Sequence, residues 1–161
     1  MKLTAKEIRQ VVRKLDEEIN HYVDYDDLFQ GGCCYAAYVL AENLKRLGIK
    51  YNVVIYQCYK VLNLTRFREV IKGEGIAHVG IQVEVGGKKK IIGSCEDVEN
   101  WIRRHKMDCT IRTYRRISPM TLLRGYNKNN YWCRRYQTSN NSQLMEDISE
   151  IANEYIKTTV I

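Results

Sequence analysis

The sequence predicts an α+β fold in which helices cover an antiparallel β-sheet, and three observations carry that expectation. A capping box opens an amphipathic helix at Thr4, an apolar helix starting at Cys33 closes on Gly48, and the stretch from Ile76 to Val85 alternates before a Gly-Gly turn. Two helices come first, then strands, then a mixed tail, an order that suits an antiparallel sheet better than a βαβ repeat.

Thr4-Ala5-Lys6-Glu7 has the capping-box form, and Ile8, Val11, Val12, Leu15, Ile19 and Tyr22 follow at helical spacing, so residues 4 to 22 are expected to be an amphipathic helix. An acidic, aromatic stretch from Asp24 to Phe29 leads into Gln30-Gly31-Gly32, where the glycines permit close backbone approach. The second helix is expected from about Cys33 to Leu47, with Ala37, Leu40, Leu44 and Leu47 on one face beneath Cys33 and Gly48 as its C′ residue. Tyr51 to Gln57 is β-branched and aromatic and reads as a strand, whereas residues 58 to 75 form an excursion with a short helix of its own.

From Ile76 to Val85, Val79, Ile81, Val83 and Val85 share one face and His78, Gly80, Gln82 and Glu84 the other. Gly86-Gly87 then turns the chain into a second strand, Lys88 to Ser94, pairing Val85 with Lys88, Gly80 with Gly93 and His78 with Cys95. Further along, Ser94 to Asp97 cap a helix through Lys106, and Thr110 to Tyr114 form a strand. Ser118-Pro119 opens a short helix ending at Gly125, and residues 142 to 157 form the last helix.

With 161 residues the chain is long enough for one sizeable core and too short for two, so residues 1–161 are read as a single domain. Its 45% hydrophobic and 28% charged residues are the balance of a folded soluble protein. The N-terminus turns amphipathic at once and no long apolar run exists, which points to a cytoplasmic protein with no membrane span. Six cysteines (33, 34, 58, 95, 109 and 133) are then expected as free thiols. They form no C-x-x-C pair, and the three histidines at 21, 78 and 105 are scattered, so neither a metal nor another cofactor is expected. Net charge is +7, and residues 86–136 carry thirteen Lys or Arg against four acids, a surface suited to an anionic partner.

Chemistry concentrates at Cys33, Cys34 and His78. A thiol becomes a good nucleophile once deprotonated, and a helix N-terminus and a nearby imidazole are two ways to achieve that. Either cysteine falls in the first turn of the second helix, where backbone N–H groups also suit an oxyanion. His78 lies on the polar face of its strand, so it is expected to point away from the core into a cleft between sheet and helix.

The run Gly31-Gly32-Cys33-Cys34-Tyr35-Ala36-Ala37, closing on Leu47-Gly48-Ile49, resembles the nucleophile helix of transglutaminase-like cysteine enzymes. His78-Val79-Gly80-Ile81 ahead of a hairpin is similar to the histidine strand of the same papain-like clan and of the NlpC/P60 peptidases. The resemblance covers residues 30 to 94 and implies a papain-like fold and a cysteine hydrolase or acyltransferase acting on an amide bond of a protein, peptide or other substrate. Its spacing selects Cys33 as nucleophile, whereas Cys34-Tyr35-Ala36 resembles the Cys-Trp-Ala of the papain group and selects Cys34. It also implies a third residue that orients the histidine, and that place falls on Gly93, so either a Cys–His dyad suffices, or Asp97, Ser94 or Gln82 substitutes, or the scaffold has lost its catalysis. Gln30 is in position to serve as an oxyanion donor.

The rival expectation is a non-catalytic binding protein on a related scaffold. Its basic C-terminal half, with Tyr114, Tyr126, Tyr131, Trp132 and Tyr136 interleaved, would bind nucleic acid or another anion, and strongly salt-dependent binding without thiol reactivity would distinguish it.

Overall fold

The computed structural model describes residues 2–22, 33–59, 76–93, 95–104, 106, 108–115, 117–128 and 140–157. Capping fixes the start of the first helix. In α1 (Ala5–Tyr22) the Thr4 N–H donates to Glu7 Oε2 at 2.7 Å and the Glu7 N–H to Thr4 Oγ1 at 3.3 Å, the reciprocal pair of a capping box. The second helix, α2 (Cys33–Arg46), ends in a Schellman motif. Gly48 holds φ +68°, its N–H donates to Lys45 O at 3.1 Å, and the Ile49 N–H donates to Leu44 O at 2.9 Å.

No atom lies within 4 Å of where a Gly48 Cβ would stand, so Gly48→Ala meets backbone strain alone. It is expected to cost about 1 kcal/mol, read as a lower urea midpoint with an unchanged m-value.

Among the described residues four strands make one antiparallel sheet: β1 (Tyr51–Tyr59), β2 (Ile76–Val85), β3 (Lys88–Ile92) and β4 (Asp108–Arg115), in the order β3-β2-β1-β4. The hairpin has the expected register, with Val85 opposite Lys88, and Gly86 and Gly87 both take positive φ as a type I′ turn requires. β3 stops at Ile92, two residues earlier than expected, because Gly93 turns out of the strand with φ +99°. Cys95 therefore begins α3 (Cys95–Arg104) and does not pair with His78. β1 and β4 are each longer than expected, since they pair with one another from Asn52 opposite Arg115 to Tyr59 opposite Asp108. The excursion expected over residues 58–75 lies outside the described residues beyond Tyr59.

The sheet has two unequal cores. On one face Val53, Val79, Ile81, Val83 and Ile92 pack with α1, α2 and α5 (Asn140–Lys157), through side chains such as Leu15, Leu40, Leu44 and Ile148. This is the amphipathic pattern of α1 and β2 acting as expected. Leu122 of α4 (Pro119–Lys128) joins that core, and α4 runs three residues past Gly125. On the opposite face Val54 and Tyr56 of β1 meet Val98 of α3, with Ile91, Ile102 and Cys109 around them. Among the described residues no helix is long and apolar enough to cross a membrane.

Candidate active site

Cys33 is the first residue of α2 and His78 the third of β2, and both are buried, 6% and 1% exposed respectively. The structure brings them together. The Cys33 thiol is held well below its usual pKa by three donors that oppose the effect of its burial: the side chain of adjacent Cys34 above all, then the His78 imidazole through hydrogen bonding and charge, and the Val79 backbone N–H. Cys34 itself is half-buried. The thiol thus sits between the start of a helix, whose dipole favours negative charge, and the strand that carries the histidine.

The protonation pattern of His78 follows from its second partner. Its Nε2 lies 2.8 Å from Gly93 O, and a carbonyl oxygen only accepts, so Nε2 carries the hydrogen. In the neutral ring the basic nitrogen is then Nδ1, which is shielded from solvent. That leaves Nδ1 as the ring nitrogen able to take up a proton.

Two features of the strands place the ring. Tyr56 faces His78 in the β1–β2 ladder, and the next pair is Gln57 with Ile76, so Ala77 is an extra residue bulged beside the histidine. The rings of Tyr56 and His78 are 6.1 Å apart and tilted by 51°, and the Tyr56 hydroxyl donates to Glu99 Oε1 at 2.9 Å. His78 was expected to open into a cleft on the polar face of β2. It is instead enclosed, with the Tyr56 ring beside it on the face where Val54 and Tyr56 of β1 meet Val98 of α3.

Gly93 stands where the third side chain was expected, and its backbone carbonyl is the group that meets the imidazole. Gln82 is not near that position, four residues along β2, where its Oε1 accepts from Asn52 Nδ2 at 3.3 Å. Gln30, Ser94 and the Asp97 side chain lie outside the described residues. No known protein family, curated protein or solved structure matches the chain.

Two participants escape a reading of the sequence. The Val79 N–H is a backbone group, invisible in residue identities. Asp16 of α1 is visible only indirectly: it stands four residues after Val12 and three before Ile19, on the buried side of an amphipathic helix, where a carboxylate is out of pattern. Its Oδ1 accepts the Gly93 N–H at 3.3 Å. Among the described residues no three His, Cys, Asp or Glu side chains are grouped to hold a metal ion.

Proposed function

We propose that this chain is a cysteine-dependent hydrolase or acyltransferase of papain-like, transglutaminase-like architecture, acting on an amide bond through Cys33 and His78. The observation that carries the reading is the fixed tautomer of His78: with Nε2–H committed to Gly93 O, the ring offers Nδ1 as base beside a thiol already biased toward thiolate. A structural histidine needs no such arrangement with a cysteine at a helix start.

In the proposed cycle Nδ1 takes the Cys33 proton and the thiolate forms a bond to the substrate carbonyl carbon. The carbonyl π electrons move to oxygen, and the backbone N–H groups in the first turn of α2 stabilise the oxyanion. Collapse of the tetrahedral intermediate breaks the C–N bond, and Nδ1–H returns its proton to the leaving amine. Water or a second amine then releases the acyl group from Cys33. The described architecture of a helix start against an antiparallel sheet supports the papain-like comparison, and Cys34 enters as a donor to the thiolate.

Competitive labelling of the native chain tests the reading. Iodoacetamide near neutral pH is expected to modify Cys33 at least about tenfold faster than any other cysteine, resolved by peptide mass spectrometry. Equal, slow labelling of all six would remove the basis for a thiol enzyme.

A further inference from the structure

A carboxylate far away in sequence reaches the strand end that orients His78. Asp16 Oδ1 accepts the Gly93 N–H at 3.3 Å across 77 positions of chain, and its Oδ2 pairs with Lys90 Nζ at 3.2 Å. Gly93 O accepts from His78 Nε2 at 2.8 Å. The two peptide groups that flank the Gly93 Cα are therefore held from different directions, one by α1 and the other by the imidazole.

We propose that Asp16 is a positioning residue for His78, which fixes the Gly93 peptide so that its carbonyl holds the imidazole in the Nε2–H tautomer. The inference rests on the reading of Cys33 and His78 as the reacting pair. Gly93 needs such a tether because φ +99° takes it out of the β ladder, where no pairing with β2 continues. The Asp16 contact fixes the amide side of Gly93, and the imidazole meets its carbonyl side. A surface ion pair does not account for the arrangement either. The Lys90 side chain is half exposed and such pairs contribute little, whereas Asp16 keeps only 20% of its side-chain surface and spends one oxygen on a backbone donor.

The charged and titratable groups around this chain of contacts come from each neighbouring element. Lys90 of β3 faces Asp16, while Cys33 and Cys34 of α2 lie at the thiol–imidazole end. Tyr56 of β1, which donates to Glu99 of α3, flanks the ring. Asp16 is the carboxylate on Gly93 itself, so its replacement acts on the carbonyl with the thiol and its donors intact.

The test compares the parent chain with Asp16→Ala and Asp16→Asn by two readouts. One is the pH profile of Cys33 labelling by iodoacetamide, and the other is the ¹⁵N spectrum of the His78 ring, which distinguishes its tautomers. Asp16→Ala is expected to slow Cys33 labelling about tenfold, move its pH midpoint upward and populate the Nδ1–H tautomer. Asp16→Asn, whose amide oxygen accepts the same N–H, restores both. Should the alanine variant not fold, Asp16→Ser, too short to reach Gly93, takes its place. A parent-like pH profile and ring spectrum in the alanine or serine variant would overturn the proposal while leaving the thiol reading intact. A parent chain whose Cys33 labels no faster than its other cysteines would sink the thiol reading, and the ring spectrum would still decide the role of Asp16.

Discussion

Cys33→Ala is expected to abolish amide-bond turnover, a fall of at least about 10³-fold, whereas Cys34→Ala keeps a slower activity with its pH profile displaced upward. The two cysteines are adjacent but not equivalent. Cys33 is the thiol whose pKa is lowered, and the Cys34 side chain is the first cause of that lowering, ahead of His78 and Val79. Removing the Cys34 donor leaves burial, which opposes the thiolate, with less to counter it. Cys34→Ser, whose hydroxyl donates to the same sulfur, is expected to return the midpoint toward the parent value.

The sign of the accompanying stability change is fixed by the same lowering. Between the depressed pKa of Cys33 and the ordinary thiol value near about 8.5, the unfolded chain holds a proton on this sulfur that the folded chain has released. The contribution of Cys33 to stability therefore rises with pH through that window, by at most about 1.4 kcal/mol per pH unit. It is fully present above the unfolded pKa and lost as pH falls through the folded one. Urea titrations of the parent and Cys33→Ala at several pH values should diverge in that direction.

For His78 two losses need to be separated. His78→Ala removes the base and also leaves Gly93 O without the donor it now has inside the protein. The expected result is a drop of about 10²-fold or more in Cys33 alkylation near neutral pH, together with about 1–3 kcal/mol of lost stability. His78→Gln separates them, because an amide nitrogen can donate to the carbonyl but offers no basic lone pair. It should recover most of the stability seen in urea denaturation and none of the alkylation rate.

What could be read in advance divides along physical lines. α1, α2 and the β2–β3 hairpin were legible because side-chain identity dictates them: a capping box, a C′ glycine, strict alternation and two glycines able to take positive φ. The length of β4 was not, since the residues added at its ends, Asp108, Cys109 and Arg115, are held in the sheet by pairing with Tyr59, Cys58 and Asn52 of β1. At the site, thiol and imidazole could be named as candidates from residue type and spacing, but their enclosure could not. Whether the histidine end of β2 is open depends on how β1 and its neighbours close around it, a long-range packing outcome that residue identities do not announce. The empty third position at Gly93 looked like a missing part because sequence records side chains, and the group that fills it is a carbonyl.

From Ile81 to Val83 β2 is paired on both edges, by β1 and β3, and Ile81 and Val83 are buried in the larger core. Amides in such a segment exchange with solvent only through the rarest, most global fluctuations of the chain. His78 lies just before it, opposite Tyr56 of β1, where β3 no longer pairs. The imidazole thus stands at the margin of the most cooperative stretch of the sheet, held on one edge by the β1 ladder and on the other by the Gly93 carbonyl.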